Sequence, residues 1–97
     1  MPGPRPVLIV DDDTGLSATL AEQLSLDGEF APVEAASLAE AAARLATDGA
    51  RFDLILLDIR LPDGDGRDYC VRLRREEARK GREQRAGRQL VHASILT

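Results

Sequence analysis

Apolar and polar positions alternate along this chain in blocks that predict a regular series of elements. Val7-Leu-Ile-Val10 is an unbroken apolar run between Pro6 and three aspartates. It is too short for a helix and fits a strand buried on both faces. Leu16, Leu20 and Leu24 then recur at helical spacing, with Asp13 or Thr14 to cap the start and Gly28 to end the helix. Residues 30–35 predict a weaker strand, and Pro32 places it at a sheet edge because proline cannot donate to a ladder. Ser37-Leu-Ala-Glu40 is a capping-box pattern opening an alanine-rich helix, with Leu38, Ala42 and Leu45 on one side and Gly49 at its close. Phe52-Asp-Leu-Ile-Leu-Leu57 predicts a second buried strand, ending at Asp58. A turn-rich stretch, Leu61-Pro-Asp-Gly-Asp-Gly66, precedes a third helix from Arg67 to about Lys80, with Gly81 as its stop. Residues 76–90 are a basic helix or loop, and residues 91–97 predict a fourth strand. The order βαβαβαβ implies right-handed crossovers and a parallel sheet covered by helices on both faces, an α/β fold in one domain spanning residues 1–97.

Composition narrows the function classes. No apolar run approaches the ~20 residues that cross a bilayer, and residues 1–6 lack the layout of a signal peptide. A single cysteine, Cys70, cannot form an internal disulfide; it predicts a core position on the third helix and a cytoplasmic protein. Three aromatic residues and no tryptophan argue against stacking on single-stranded nucleic acid. The net charge of −4 is unevenly spread. Residues 1–66 carry 4 basic and 13 acidic side chains, a net of −9, and residues 67–97 carry 9 basic and 4 acidic, a net of +5. The acidic part is where a cation would bind. The arginines at 72, 75, 79 and 82 lie on one helical face and read as solvated surface.

Both strong strands end in aspartate: Asp11, Asp12 and Asp13 after the first, Asp58 after the third. Ligands of open parallel sheets bind at the carboxyl ends of strands. If the two strands are neighbours, the carboxylates converge, and several like charges in one place call for a cation. Oxygen-only donors suit a hard ion such as Mg²⁺, and a carboxylate beside it can attack a phosphoryl group. Asp13 reads as a helix-start residue rather than a ligand.

Val7-Leu-Ile-Val-Asp-Asp-Asp13, together with Leu54-Ile-Leu-Leu-Asp-Ile-Arg-Leu-Pro-Asp-Gly-Asp-Gly66, resembles a response-regulator receiver domain of two-component signalling over residues 6 to about 75. The resemblance implies a flavodoxin-like doubly wound sheet, here incomplete with about four of five strands. It implies that Asp58 accepts a phosphoryl group from a histidine kinase or a histidine phosphotransfer protein. It implies Mg²⁺ held by Asp11, Asp12, Asp58 and the backbone carbonyl of Arg60, with Pro62 and Gly66 shaping the loop. Phosphorylation would then switch partner interactions, with no separate substrate turned over.

The chain departs from the family pattern in its last third. The phosphate-sensing hydroxyl of the family resembles Thr97, 39 residues after Asp58 and at the end of the chain. The family's fifth-strand lysine has no counterpart, since the only lysine is Lys80. One sheet face should lose part of its cover, and the fourth strand should become an edge open to self-association. No membrane contact and no nucleic-acid binding by this chain are expected. The competing reading is a receiver-like interaction module that cannot be phosphorylated, or an inactive fragment. A haloacid-dehalogenase-type phosphohydrolase is disfavoured because Arg60 stands where that chemistry needs a second aspartate.

Overall fold

The structure is a computed structural model, described here for residues 3–48, 52–83 and 92–95. Its elements run β1 (Arg5–Val10), α1 (Thr14–Ser25), β2 (Phe30–Ala35), α2 (Leu38–Asp48), β3 (Leu54–Leu57), β4 (Arg60–Leu61), β5 (Gly64–Asp65), α3 (Gly66–Glu83) and β6 (His92–Ile95). The main sheet is wholly parallel among the described residues, in the order β2-β1-β3-β6. The strand holding Pro32 is therefore an edge, as its missing N–H requires.

Strand order and handedness place the helices. The crossover from β1 to β2 runs in one direction across the sheet, and those from β2 to β3 and from β3 to β6 run in the other. With right-handed crossovers, α1 lies on one face, and α2 and α3 lie on the opposite face. The core of the second face contains Leu8, Val10, Ile55 and Leu57 from the strands with Ala41, Tyr69 and Cys70 from the helices. Val7 and Ile9 point the other way by the two-residue period of a strand and are fully buried.

Several local expectations are refined. Asp13 caps α1, its carboxylate accepting the Leu16 N–H at 3.0 Å. Ser37 Oγ accepts the Glu40 N–H at 3.1 Å, but the Glu40 carboxylate reaches past Ser37 to the Ala36 N–H at 2.8 Å. On α2 the buried small residue is Ala41 rather than Ala42, which is exposed, so the inward stripe is Leu38, Ala41 and Leu45. Gly28 carries a positive φ of 74°, three residues beyond the end of α1. Gly81 does not stop α3, which continues to Glu83. A helical glycine costs only about 1 kcal/mol relative to alanine, and the charged residues around it are good helix formers. The turn-rich stretch is part of a small antiparallel hairpin, β4–β5, over residues 60–65. Gly49 and Thr97 lie outside the described residues.

Candidate acidic site at the carboxyl ends of β1 and β3

The parallel register delivers the acidic residues to one place. Val10 pairs with both Ala35 and Leu57, so the strand-terminal residues of β1, β2 and β3 stand level. The ladder then runs on through the aspartates. The Asp11 N–H donates to the Ala35 carbonyl at 3.0 Å, and the Asp58 N–H donates to the Val10 carbonyl at 2.9 Å. Backbone bonds thus hold Asp11 between β1 and β2, and Asp58 against β1. One carboxylate oxygen from each of Asp11, Asp12 and Asp58 lies within 4.8 Å of the others.

The three differ in environment. Asp11 is buried, Asp58 half-buried and Asp12 exposed. Burial is the main cause raising the Asp11 carboxyl above its usual value, and the charges of Asp58, Asp12 and Asp13 add to it. Against these stands the Asp13 N–H, which donates to Asp11 Oδ1 at 3.0 Å. A buried carboxylate facing other carboxylates gains most from a cation. The donor set, all oxygen and partly open to water, matches a hard divalent ion that keeps some of its hydration shell.

An open pocket of about 360 Å³ leads away from these groups, bounded on one side by Leu16, Thr19, Leu20 and Gln23 of α1. These α1 positions were not singled out as site residues in the sequence. The helical spacing of Leu16 and Leu20 is legible in the sequence, but spacing alone does not mark a pocket wall. Leu16 in fact remains 56% exposed.

Arg60 sits two residues past Asp58, at the start of β4, with an exposed side chain. Gly66 packs directly on the phosphoacceptor candidate: a Cβ there would collide with the Asp58 carbonyl oxygen. Its N–H donates to the Ile59 carbonyl at 2.7 Å. Asp65 accepts the Arg67 N–H at 2.7 Å and so caps α3. A contact that sequence reading missed is Asp63, whose two carboxylate oxygens accept the N–H groups of Leu38 and Ala39 at 2.8 and 2.9 Å. No local pattern signals a cap supplied from 25 residues away.

Comparison with known proteins agrees with this geometry. Residues 7–82 match the response regulator receiver domain family. The transcriptional regulatory protein TcrA of Mycobacterium tuberculosis is 36% identical over 70 residues, which are 72% of this chain and 26% of that protein. The chain spans about a quarter of the length of the curated relatives it matches. Among solved structures, a sulfate-bound mutant of the response regulator MaeR superposes with a TM-score of 0.74 at 29% identity, covering 97% of this chain and 67% of that one. A complex of CheY6 with a domain of CheA3 from R. sphaeroides matches with a TM-score of 0.58 at 30% identity, covering 95% of this chain and 83% of that one. With two strand-terminal acidic motifs brought together on a 2-1-3 parallel sheet and a family match over most of its length, this chain belongs to the receiver domains of response regulators.

Proposed function

We propose that this receiver is a working phosphoacceptor, with Asp58 as the nucleophile and Mg²⁺ held by Asp11, Asp12, Asp58 and the backbone carbonyl of Arg60. The observation that carries the reading is the convergence of three carboxylate oxygens within 4.8 Å, beside a pocket open to solvent. A carboxylate oxygen of Asp58 attacks the phosphorus of a phosphohistidine. The new O–P bond forms as the N–P bond breaks, and its electron pair returns to the imidazole. Bound Mg²⁺ supplies charge neutralisation at the transferring oxygens. Asp11, its N–H bonded to the Ala35 carbonyl and its Oδ1 accepting the Asp13 N–H, would be one of the residues that hold the ion. Asp12, exposed at the rim, completes the acidic wall.

The donor is a histidine kinase or histidine phosphotransfer protein, in keeping with the CheY6–CheA3 complex among the structural relatives. Thr97, two residues beyond β6, is the position we assign to phosphate sensing. The reading places the chain in the cytoplasm, and among the described residues no helix is long and apolar enough to cross a membrane.

One observation favours a second reading, a receiver-like module that binds partners without phosphorylation. The single lysine of the sequence, Lys80, lies in α3 and not at a strand end. Intact mass after incubation with Mg²⁺ and acetyl phosphate separates the two. Gain of one phosphoryl group, absent in Asp58→Asn, is the expected result. No gain in a folded sample overturns the phosphoacceptor reading in favour of the module.

A further inference from the structure

We infer that Asp63 is a positioning residue for the acidic pocket, clamping the segment from Asp58 to Gly66 onto the first turn of α2. Its consequence for metal binding rests on the phosphoacceptor reading; its geometry does not. The segment is pinned at its far end and at its tip. At its far end, Gly66 sits against the Asp58 carbonyl and donates to Ile59. At its tip, the Asp63 carboxylate takes the Leu38 and Ala39 N–H groups at 2.8 and 2.9 Å. Those amides are among the unsatisfied donors that every helix start presents, and they carry the positive end of the helix dipole. The two backbone bonds hold the Asp63 carboxyl below its usual value, consistent with a carboxylate that stays ionised in this position.

A second contact fixes the same junction. Gly64 lies so close to α2 that a Cβ there would come within 2.6 Å of Leu38 Cδ1. The hairpin tip therefore touches α2 through both a charged cap and a packed backbone.

The clamp closes a loop of connections around the pocket. From Asp58 the chain runs through the hairpin to Asp63, across two hydrogen bonds to the start of α2, and back through Ala36 to Ala35. The Ala35 carbonyl in turn accepts the Asp11 N–H. The segment that begins at Asp58 is thus tied to the strand end that holds Asp11. Short exposed segments without such ties sample many conformations, and a site held by them loses affinity when the outer contacts go.

The test compares two caps on one helix. Ser37 also caps α2, through its Oγ on the Glu40 N–H, a bond that lies within the first turn of the helix itself. Asp63→Ala, Asp63→Asn and Ser37→Ala are compared with the parent chain by thermal melting, by amide hydrogen exchange at Gly66 without metal, and by calorimetric titration with Mg²⁺. If Asp63 positions the segment, Asp63→Ala speeds Gly66 exchange about tenfold and weakens Mg²⁺ binding about tenfold. Asp63→Asn, which keeps one acceptor oxygen, recovers part of both. Ser37→Ala lowers the melting temperature comparably but leaves exchange and Mg²⁺ affinity within about twofold. If the three variants change both readouts in proportion to their melting temperatures, Asp63 is only a helix cap and the inference fails. Should Asp63→Ala not fold, the contrast between Asp63→Asn and Ser37→Ala decides. A parent chain that binds no Mg²⁺ overturns the metal site, while Gly66 exchange still decides the clamp.

Discussion

The two faces of the sheet are built from similar strand residues but are covered to different extents. On the face shared by α2 and α3, Ile55 and Leu57 of β3 are buried, and Phe52, Tyr69 and Cys70 close over them. On the face of α1, the alternate residues of the same strand, Leu54 and Leu56, stay half-buried, and Leu16 is 56% exposed. Position in the sheet decides the difference. β1 and its neighbour β2 pack against α1, and Val7 and Ile9 are fully buried on that face. One step outward, at β3, cover on that face thins. The chemistry lies where the strands end, and the pocket wall beside it is the open helix, α1. A packed face gives the acidic site its rigid footing, and a thinly covered one gives it access.

The largest test of this contrast is truncation on β3. Ile55→Ala, on the closed face, should cost about 2–5 kcal/mol of unfolding free energy, as fully buried aliphatic residues do. Leu56→Ala, on the open face, should cost about 1 kcal/mol or less, because part of that side chain already meets water. Urea denaturation of both variants measures the gap, and equal losses would erase the asymmetry.

Gly66→Ala should come next, at about 1–3 kcal/mol, since the added methyl must displace the Asp58 backbone. It should also slow phosphorylation by acetyl phosphate more than its loss of stability explains, because it moves the nucleophile itself.

Mg²⁺ at ten times its dissociation constant should stabilise the chain by about 1.4 kcal/mol, read as a raised melting temperature that Asp58→Asn reduces. The pH dependence has two opposite parts. The Asp11 carboxyl is raised in the folded chain, so its favourable contribution is full below the unfolded value and is lost as pH rises through the folded one. Asp63 is lowered, so its contribution is present above the unfolded value and is lost as pH falls through the folded one. In metal-free melts, Asp11→Asn should flatten the decline on the high side of the carboxylate range, and Asp63→Asn the decline on the low side. The same slope in both variants and the parent would contradict this assignment.

The smallest effect is expected at Leu16. Leu16→Gln should change stability by no more than about 0.5 kcal/mol, since the side chain is mostly exposed. Sedimentation of this variant also tests association through the α1 face: a parent chain that self-associates there should do so less when Leu16 is polar.

Much of this molecule is legible in its residues, because the signals are local. The apolar run at 7–10 with its flanking aspartates marks a buried strand, which the structure shows, and sets acidic residues at its end, where carboxylates of Asp11, Asp12 and Asp58 converge. Pro32 alone sends its strand to the edge. Asp13 is recognisable as a cap because its partner, the Leu16 N–H, is three residues away. Sequence position also states which carboxylates can meet, once a parallel sheet is assumed.

Other features depend on distances that the chain closes only on folding. Which of three adjacent aspartates is buried follows from the ladder bond between Asp11 and Ala35, residues far apart in sequence. The Leu16, Leu20 and Leu24 stripe announces an amphipathic helix, but periodicity says nothing of how much sheet lies under it, and Leu16 ends at the pocket rim. Ala41 is buried and Ala42 exposed, a choice among neighbouring alanines that their identical chemistry cannot make. Asp63 looks like an ordinary turn residue beside Pro62. Only the approach of the hairpin to α2 makes it a helix cap, because two donors left open at one helix start attract a carboxylate from anywhere the fold can bring one. Local chemistry and period determined the elements and the acidic motif; the tertiary structure decided burial, access and the Asp63 clamp, since those are set by what the fold brings within a few ångströms.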